Sequence, residues 1–301
     1  ELRKVSDCDK YIQKILYRPF DERWIFYHPA VIERSREEVM KLMMMDNLVL
    51  IARRQMIGDR INYIFVSDKP ISDGVIRSDN KGGESVFPLY LHNFHEQQTL
   101  LETNNKSQNI NWNLLPGWMA TIQPFISPVT DNFIQVPEAI FYYIYAVLYS
   151  NVYREKYKEF LKSDFPKVPF TKNYELFKNL SILGEQLVEL HLLKSKLFDT
   201  PISRYEGKGD DRVDTHKYDA GSKRLYINES QFFDKISPEV WNYYIGGYQV
   251  LDKWLKERYR RILSLEDQLH FRKIITALTQ TLDIQERIDK FYPEVEKSLN
   301  N

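Results

Sequence analysis

The chain of 301 residues is long enough for one large domain or two smaller ones, and 43% hydrophobic with 28% charged residues is the composition of a soluble globular protein. Lys+Arg and Asp+Glu both number 42, so net charge is zero; that argues against tight unaided binding to nucleic acid, where neutralised phosphates supply most of the affinity, but allows one basic face or a module held on DNA by a basic neighbour. A single cysteine, Cys8, excludes an internal disulfide framework and fits a reducing cytoplasm, no apolar run approaches the roughly 18 residues of a membrane span, and the start does not resemble a signal peptide. The opening at Glu1, inside what reads as structured sequence, suggests an excised piece or a processed product.

In chain order, Ile12 to Leu16, Trp24 to Tyr27, Leu48 to Ala52, Ile61 to Val66 and Val86 to Leu91 read as strands rich in β-branched and aromatic residues. Gly58-Asp59, Ser72-Asp73-Gly74 and Lys81-Gly82-Gly83 supply the turns between them. One short helix, Arg36 to Met45, interrupts, and His92 to Pro116, rich in Asn and Gln, reads as a long surface loop. After Val136 the pattern becomes helical. Pro137-Glu138 opens a helix in which Ile140, Ile144, Val147 and Leu148 share a face, and further helices follow over Tyr153 to Leu161 and Tyr174 to Lys196. A β-rich piece from Ile202 to Ile227, turning at Asp219-Ala220-Gly221, precedes helices over Tyr248 to Ile262 and from Ser264 to about Phe291. Ser264 with Asp267 three residues on makes an N-cap arrangement. The expected architecture is α+β: a β-rich lobe over 1–130, the candidate for reading DNA, then a mostly helical lobe over 131–301 with a small β insertion near 202–245.

Catalytic signatures are sparse. No glycine-rich loop joins a strand to a helix, and Glu206-Gly207-Lys208-Gly209-Asp210 lacks both the preceding strand and the Lys-Ser/Thr ending of a phosphate loop. His92 and His95 with Glu96 approach metal-ligand spacing but have no further His or Cys nearby, so no metal site is assigned. The aromatic share of 14%, with 20 Tyr and 17 Phe, serves a core first and base stacking second.

Two charge groupings carry more information. Arg18, Arg23, Arg53, Arg54 and Gln55 fall on or beside predicted strands, where Arg and Gln can make bidentate contacts with guanine and adenine edges. The alternative is a solvated surface paired with Asp21 and Glu22. Lys253, Lys256, Arg258, Arg260 and Arg261, against Asp252 and Glu257, put three excess positive charges on one predicted helix, enough to hold phosphates, or a solvated helix face.

Several segments resemble a known family. Tyr17-Arg18-Pro19-Phe20-Asp21-Glu22-Arg23-Trp24 resembles a motif near the start of the target-recognition region of single-chain restriction-modification enzymes. Phe65-Val66-Ser67-Asp68, Ile71-Ser72-Asp73, Phe87 to Leu91, Ile140 to Leu148, Tyr153-Arg154, Asp164-Phe165-Pro166 and Val240 through Ile245-Gly246-Gly247-Tyr248 to Lys256 are similar to the C-terminal specificity domain of the type ISP enzymes. The resemblance covers nearly the whole chain in order. It implies a non-catalytic module that reads double-stranded DNA and holds it against an adenine-N6 methyltransferase domain of the parent chain. That domain would bind S-adenosylmethionine and flip the target adenine. Its Asn-Pro-Pro-Tyr-type motif has no counterpart here, since Leu115-Pro116-Gly117-Trp118 does not match. The family pattern names no base-contacting residue. The competing expectation is a scaffold module whose helical lobe docks neighbouring domains.

Overall fold

Short runs of consecutive apolar residues, rather than strict alternation, mark strands covered on both faces. In the computed structural model, which describes residues 7–79, 83–92, 106–121, 125–126 and 131–299, these runs form the first part of an α+β fold. β1 (Ile12–Arg18) and β2 (Asp21–Phe26) make an antiparallel hairpin, followed by α1 (Glu37–Met43). β3 (Val49–Ala52) lies between β4 (Ile64–Ser67) and β5 (Ser85–Pro88) in an antiparallel sheet, and every residue of β4 is buried. The expected strand over Ile61 to Val66 starts later because Asn62 turns away to donate through Nδ2 to Tyr244 O. The expected strand over Val86 to Leu91 breaks at Leu89, whose N–H donates to Leu48 O, and β6 (Tyr90–His92) takes a new partner, β7 (Lys106–Gln108). The expected loop over His92 to Pro116 therefore contains a strand and a 3-10 turn, Trp112–Leu114, capped by the Asn111 side chain, while its residues 93–105 lie outside the described ones. β8 (Phe125–Ile126) and β9 (Phe133–Ile134) close this part as a small pair.

α2 (Val136–Tyr149) is apolar on nearly all sides and is a core helix. α3 (Asn151–Lys156) and α4 (Lys158–Leu161) lead to the amphipathic α5 (Tyr174–His191). α5 stops short of the expected Lys196. No glycine announces the stop: Leu193 itself takes the left-handed conformation (φ 55°) and Lys194 N donates back to Glu189 O at 2.9 Å. The β insertion follows as β10 (Tyr205–Glu206), β11 (Lys217–Asp219), β12 (Arg224–Tyr226) and β13 (Phe232–Phe233), in the spatial order β10-β13-β12-β11. α6 (Pro238–Trp241), the hairpin of β14 (Tyr244–Ile245) and β15 (Tyr248–Gln249), α7 (Val250–Lys256) and α8 (Leu265–Leu299) complete the chain. The expected helix over Tyr248 to Ile262 is thus a strand, a seven-residue helix and a turn. α8 begins as expected: Ser264 Oγ accepts from Asp267 N at 3.1 Å and Asp267 Oδ2 accepts from Ser264 N at 3.1 Å. It runs past Phe291 and through Pro293, because Tyr292 and Val295 beyond the expected end are fully buried and packing outweighs one lost backbone bond. Among the described residues no helix is long and apolar enough to cross a membrane.

The core sits where α2, α5, α8 and β4 meet, and its centre is polar. His191 Nε2 lies 3.0 Å from Thr281 Oγ1, and Nδ1 lies 2.7 Å from the Tyr145 hydroxyl. The Thr281 hydroxyl donates to Ala277 O at 2.7 Å, so it accepts from Nε2–H, and Nδ1 accepts from Tyr145. Tyr149 OH donates to Ile64 O at 3.0 Å, tying α2 to β4, and Gln285 Nε2 on α8 donates to Tyr149 O at 2.9 Å. Burial, with a smaller contribution from the Arg154 charge, lowers the His191 pKa to about 3 and keeps the imidazole neutral.

Candidate nucleic-acid interface

The hairpin motif from Tyr17 to Trp24 turns on Phe20, which takes φ +63° and buries its ring against Phe65 and His191. A buried aromatic anchor stabilises a conformation that costs about 1–2 kcal/mol in a non-glycine residue. The turn carries Asp21, 2% exposed, which accepts from Arg258 Nη2 at 2.9 Å and from Arg23 Nη2 at 3.1 Å. Arg23 also bonds Glu257 at 2.9 Å, and Glu257 bonds Lys253 at 2.5 Å. Burial works against the charge on Arg23, but Glu257 and Asp21 outweigh it and hold its pKa above the usual value. Burial alone would raise the Glu257 carboxyl; Lys253 and Arg23 bring it below the usual range. The guanidiniums of Arg18 and Arg23 both lie over the Tyr17 ring, at 4.1 and 3.7 Å, and Arg258 lies 3.5 Å over Trp254.

This cluster continues into a stitched loop. Arg18 Nη1 donates to Tyr17 O at 2.7 Å and to Ser72 Oγ at 3.3 Å. Glu84 accepts from the N–H groups of Gly74, Ile76 and Arg77, and the single Tyr248 O–H lies within hydrogen-bonding distance of both Gly74 O and Arg77 O. Gly246 packs face to face with this loop: at φ +56°, a Cβ there would stand 1.8 Å from Ile76 O. The Gly-Gly-Tyr motif is therefore a seam between two chain segments, with Tyr248 lying 174 residues from Gly74 and 171 from Arg77.

The ten sequence-predicted contact residues fall into different environments. Across this seam Arg18 lies 5.1 Å over the Tyr248 ring, and Arg23 shares Asp21 with Arg258 and Glu257 with Lys253. Arg53 is only 4% exposed and forms a bidentate pair with Asp79 at 3.0 and 3.1 Å. Its sequence neighbours turn outward: Arg54 pairs with Asp164 at 3.1 Å, and Gln55 Nε2 lies 3.5 Å from Ser163 O. Lys256 pairs with Asp252 at 2.8 Å. The basic group does not share one helix. Only Lys253 and Lys256 lie on α7, while Arg258, Arg260 and Arg261 occupy the turn after it. Arg260 and Arg261 are exposed, and neither has an ion pair among the described residues. Reading charge alone missed their exposed neighbours Tyr259 and Ile262; the available signal was four residues, Tyr-Arg-Arg-Ile, with no acid between Glu257 and Ser264.

Among the described residues no group of three His, Cys, Asp or Glu could hold a metal ion, and His95 and Glu96 lie outside them. The space beside the Glu206–Asp210 loop is filled by the protein's own backbone: a Cβ on Gly207 would stand 2.2 Å from Ser230 O.

The family model for the type ISP C-terminal specificity domain matches residues 1–287. The chain belongs to this family. Solved structures share the fold of this specificity domain. A nuclease-deletion mutant of the type ISP restriction-modification enzyme LlaGI in complex with a DNA substrate mimic has a TM-score of 0.63 at 20% identity, covering 95% of this chain and 25% of that one. The ATP-dependent type ISP restriction-modification enzyme LlaBIII bound to DNA gives 0.69 at 19%, covering 92% and 18%. The DrdV-DNA complex gives 0.67 at 17%, covering 96% and 29%. The chain thus spans less than a third of each of those proteins. No curated protein matches in a sequence search.

Proposed function

We propose that this specificity domain recognises a particular double-stranded DNA sequence on behalf of a larger restriction-modification enzyme and carries no catalytic site of its own. The observation that supports this most directly is the family match over residues 1–287. LlaGI, LlaBIII and DrdV, whose folds are similar, are each described with DNA. In this reading the parent is a bacterial cytoplasmic enzyme, and an adenine-N6 methyltransferase domain elsewhere in it binds S-adenosylmethionine. The specificity domain sets register and holds the duplex against that domain.

The zero net charge makes isolated binding weak and salt-sensitive. The test is retention of a random duplex pool at low salt, followed by selection and sequencing. Enrichment of one motif of several base pairs supports recognition. Retention without enrichment means phosphate binding alone, and no retention favours a docking module. One observation speaks for that second reading: Trp24, 66% exposed on β2, shares the hairpin's outer side with exposed Ile12.

A further inference from the structure

The turn after α7 is built to hold large side chains away from the protein. Its base is anchored by Val213 and Leu263, both buried, and by three backbone bonds: Val213 N to Arg261 O at 2.9 Å, Arg260 N to Val213 O at 2.7 Å and Leu263 N to Asp211 O at 2.8 Å. Arg212 Nη1 adds a bond to Arg260 O at 3.2 Å, and Arg260 is held at φ +63°. In this turn Tyr259 and Ile262 are 55% and 58% exposed, Arg260 and Arg261 are exposed as well, and the Arg260 guanidinium lies 5.3 Å over the Tyr259 ring. The nearby acids Asp267 and Asp210 are engaged by Arg258 and Arg212, at 3.4 Å in each case, and do not neutralise the two arginines. A flexible tip would leave such side chains free to fold back onto apolar surface; a rigid one presents them.

We propose that the Tyr259–Ile262 turn is the element of this domain that contacts duplex DNA most closely, with Arg260 and Arg261 on backbone phosphates and Tyr259 and Ile262 against sugars or a base step in the groove between. The inference rests on the DNA-recognition reading above. Two unneutralised arginines flanked by an aromatic and an aliphatic side chain match what a groove wall offers: anionic edges and an apolar sugar surface. The seam arginines differ, because each already has a carboxylate, carbonyl or hydroxyl partner within the protein.

The experiment measures binding of this chain to a labelled duplex across a salt series, for the unaltered protein, R260A/R261A, R260K/R261K and I262A. Thermal melting of each confirms that it folds. R260A/R261A is expected to weaken binding and to flatten the slope of log affinity against log salt by roughly 1.8, at about 0.9 for each phosphate no longer neutralised. R260K/R261K is expected to restore the slope. I262A is expected to weaken binding several-fold with the slope unchanged, because the side chain carries no charge. The proposal is overturned if R260A/R261A binds with unaltered affinity and slope while the unaltered protein binds; DNA recognition then stands and the contact lies elsewhere. If the unaltered protein binds no duplex at low salt, the recognition reading falls and this one with it.

Discussion

Two basic regions stand a few residues apart and behave as opposites. At the seam, Arg23, Arg258 and Lys253 are tied to Asp21 and Glu257, two carboxylates that bind together chain segments more than 200 residues apart. At the turn, Arg260 and Arg261 have no carboxylate among the described residues, although Arg258 lies only two positions before. In sequence both regions are simply basic. The difference shows that motifs which identify a specificity domain can be joinery, with their charges paired inside the protein.

The sharpest way to break the seam is G246A. The substitution adds a methyl group where Ile76 O already stands and asks alanine to adopt φ +56°, so a loss of roughly 3–5 kcal/mol is expected in urea unfolding. A midpoint equal to wild type would mean that the hairpin of β14 and β15 is not held against the loop at Ile76. D21N comes next. It leaves Arg258, partly buried, without its nearest anion and should cost about 3 kcal/mol. A double-mutant cycle with R258M should recover part of this loss, whereas additive losses would show that the two side chains do not interact.

His191 extends the comparison to the core. Its folded pKa of about 3 lies below the ordinary value of 6.5, so the unfolded chain takes up the proton first. Stability is full above pH 6.5 and declines as pH falls toward 3, by up to about 1.4 kcal/mol per pH unit from this group. His191→Asn should be less stable at neutral pH yet show a shallower decline in acid. Parallel urea-midpoint profiles from pH 7 to pH 4 would show that another group titrates.

Much of the architecture was legible, because local patterns and tertiary packing agree in α2, α5 and the start of α8, where Ser264 and Asp267 cap the helix as their spacing implies. The reading failed where packing overrides a local rule. α8 passes through Pro293 because Tyr292 and Val295 are buried, and α5 ends at a left-handed leucine that no glycine flagged. The segment after Tyr248 has helical spacing, but backbone bonds to Val213 and Asp211 pull its last residues into a turn. For the interface, residue type was legible and charge state was not. Whether an arginine is neutralised depends on a carboxylate brought from elsewhere, as Asp79 is to Arg53.

Arg53 and Arg54 allow that last point to be tested with the smallest expected effect. They are consecutive and chemically identical, yet the side chain of Arg53 is 5% exposed and that of Arg54 is 68% exposed. Both have a carboxylate near 3 Å, Asp79 for the first and Asp164 for the second. Water screens the outer pair and competes for its hydrogen bonds, so R54A should leave the thermal midpoint unchanged while R53A lowers it. The same two variants then sort stability from binding. Lower duplex affinity in R54A without loss of stability would place Arg54 on the DNA face, able to exchange Asp164 for a phosphate. Unchanged affinity would mean that Arg54, although exposed, takes no part in binding the duplex.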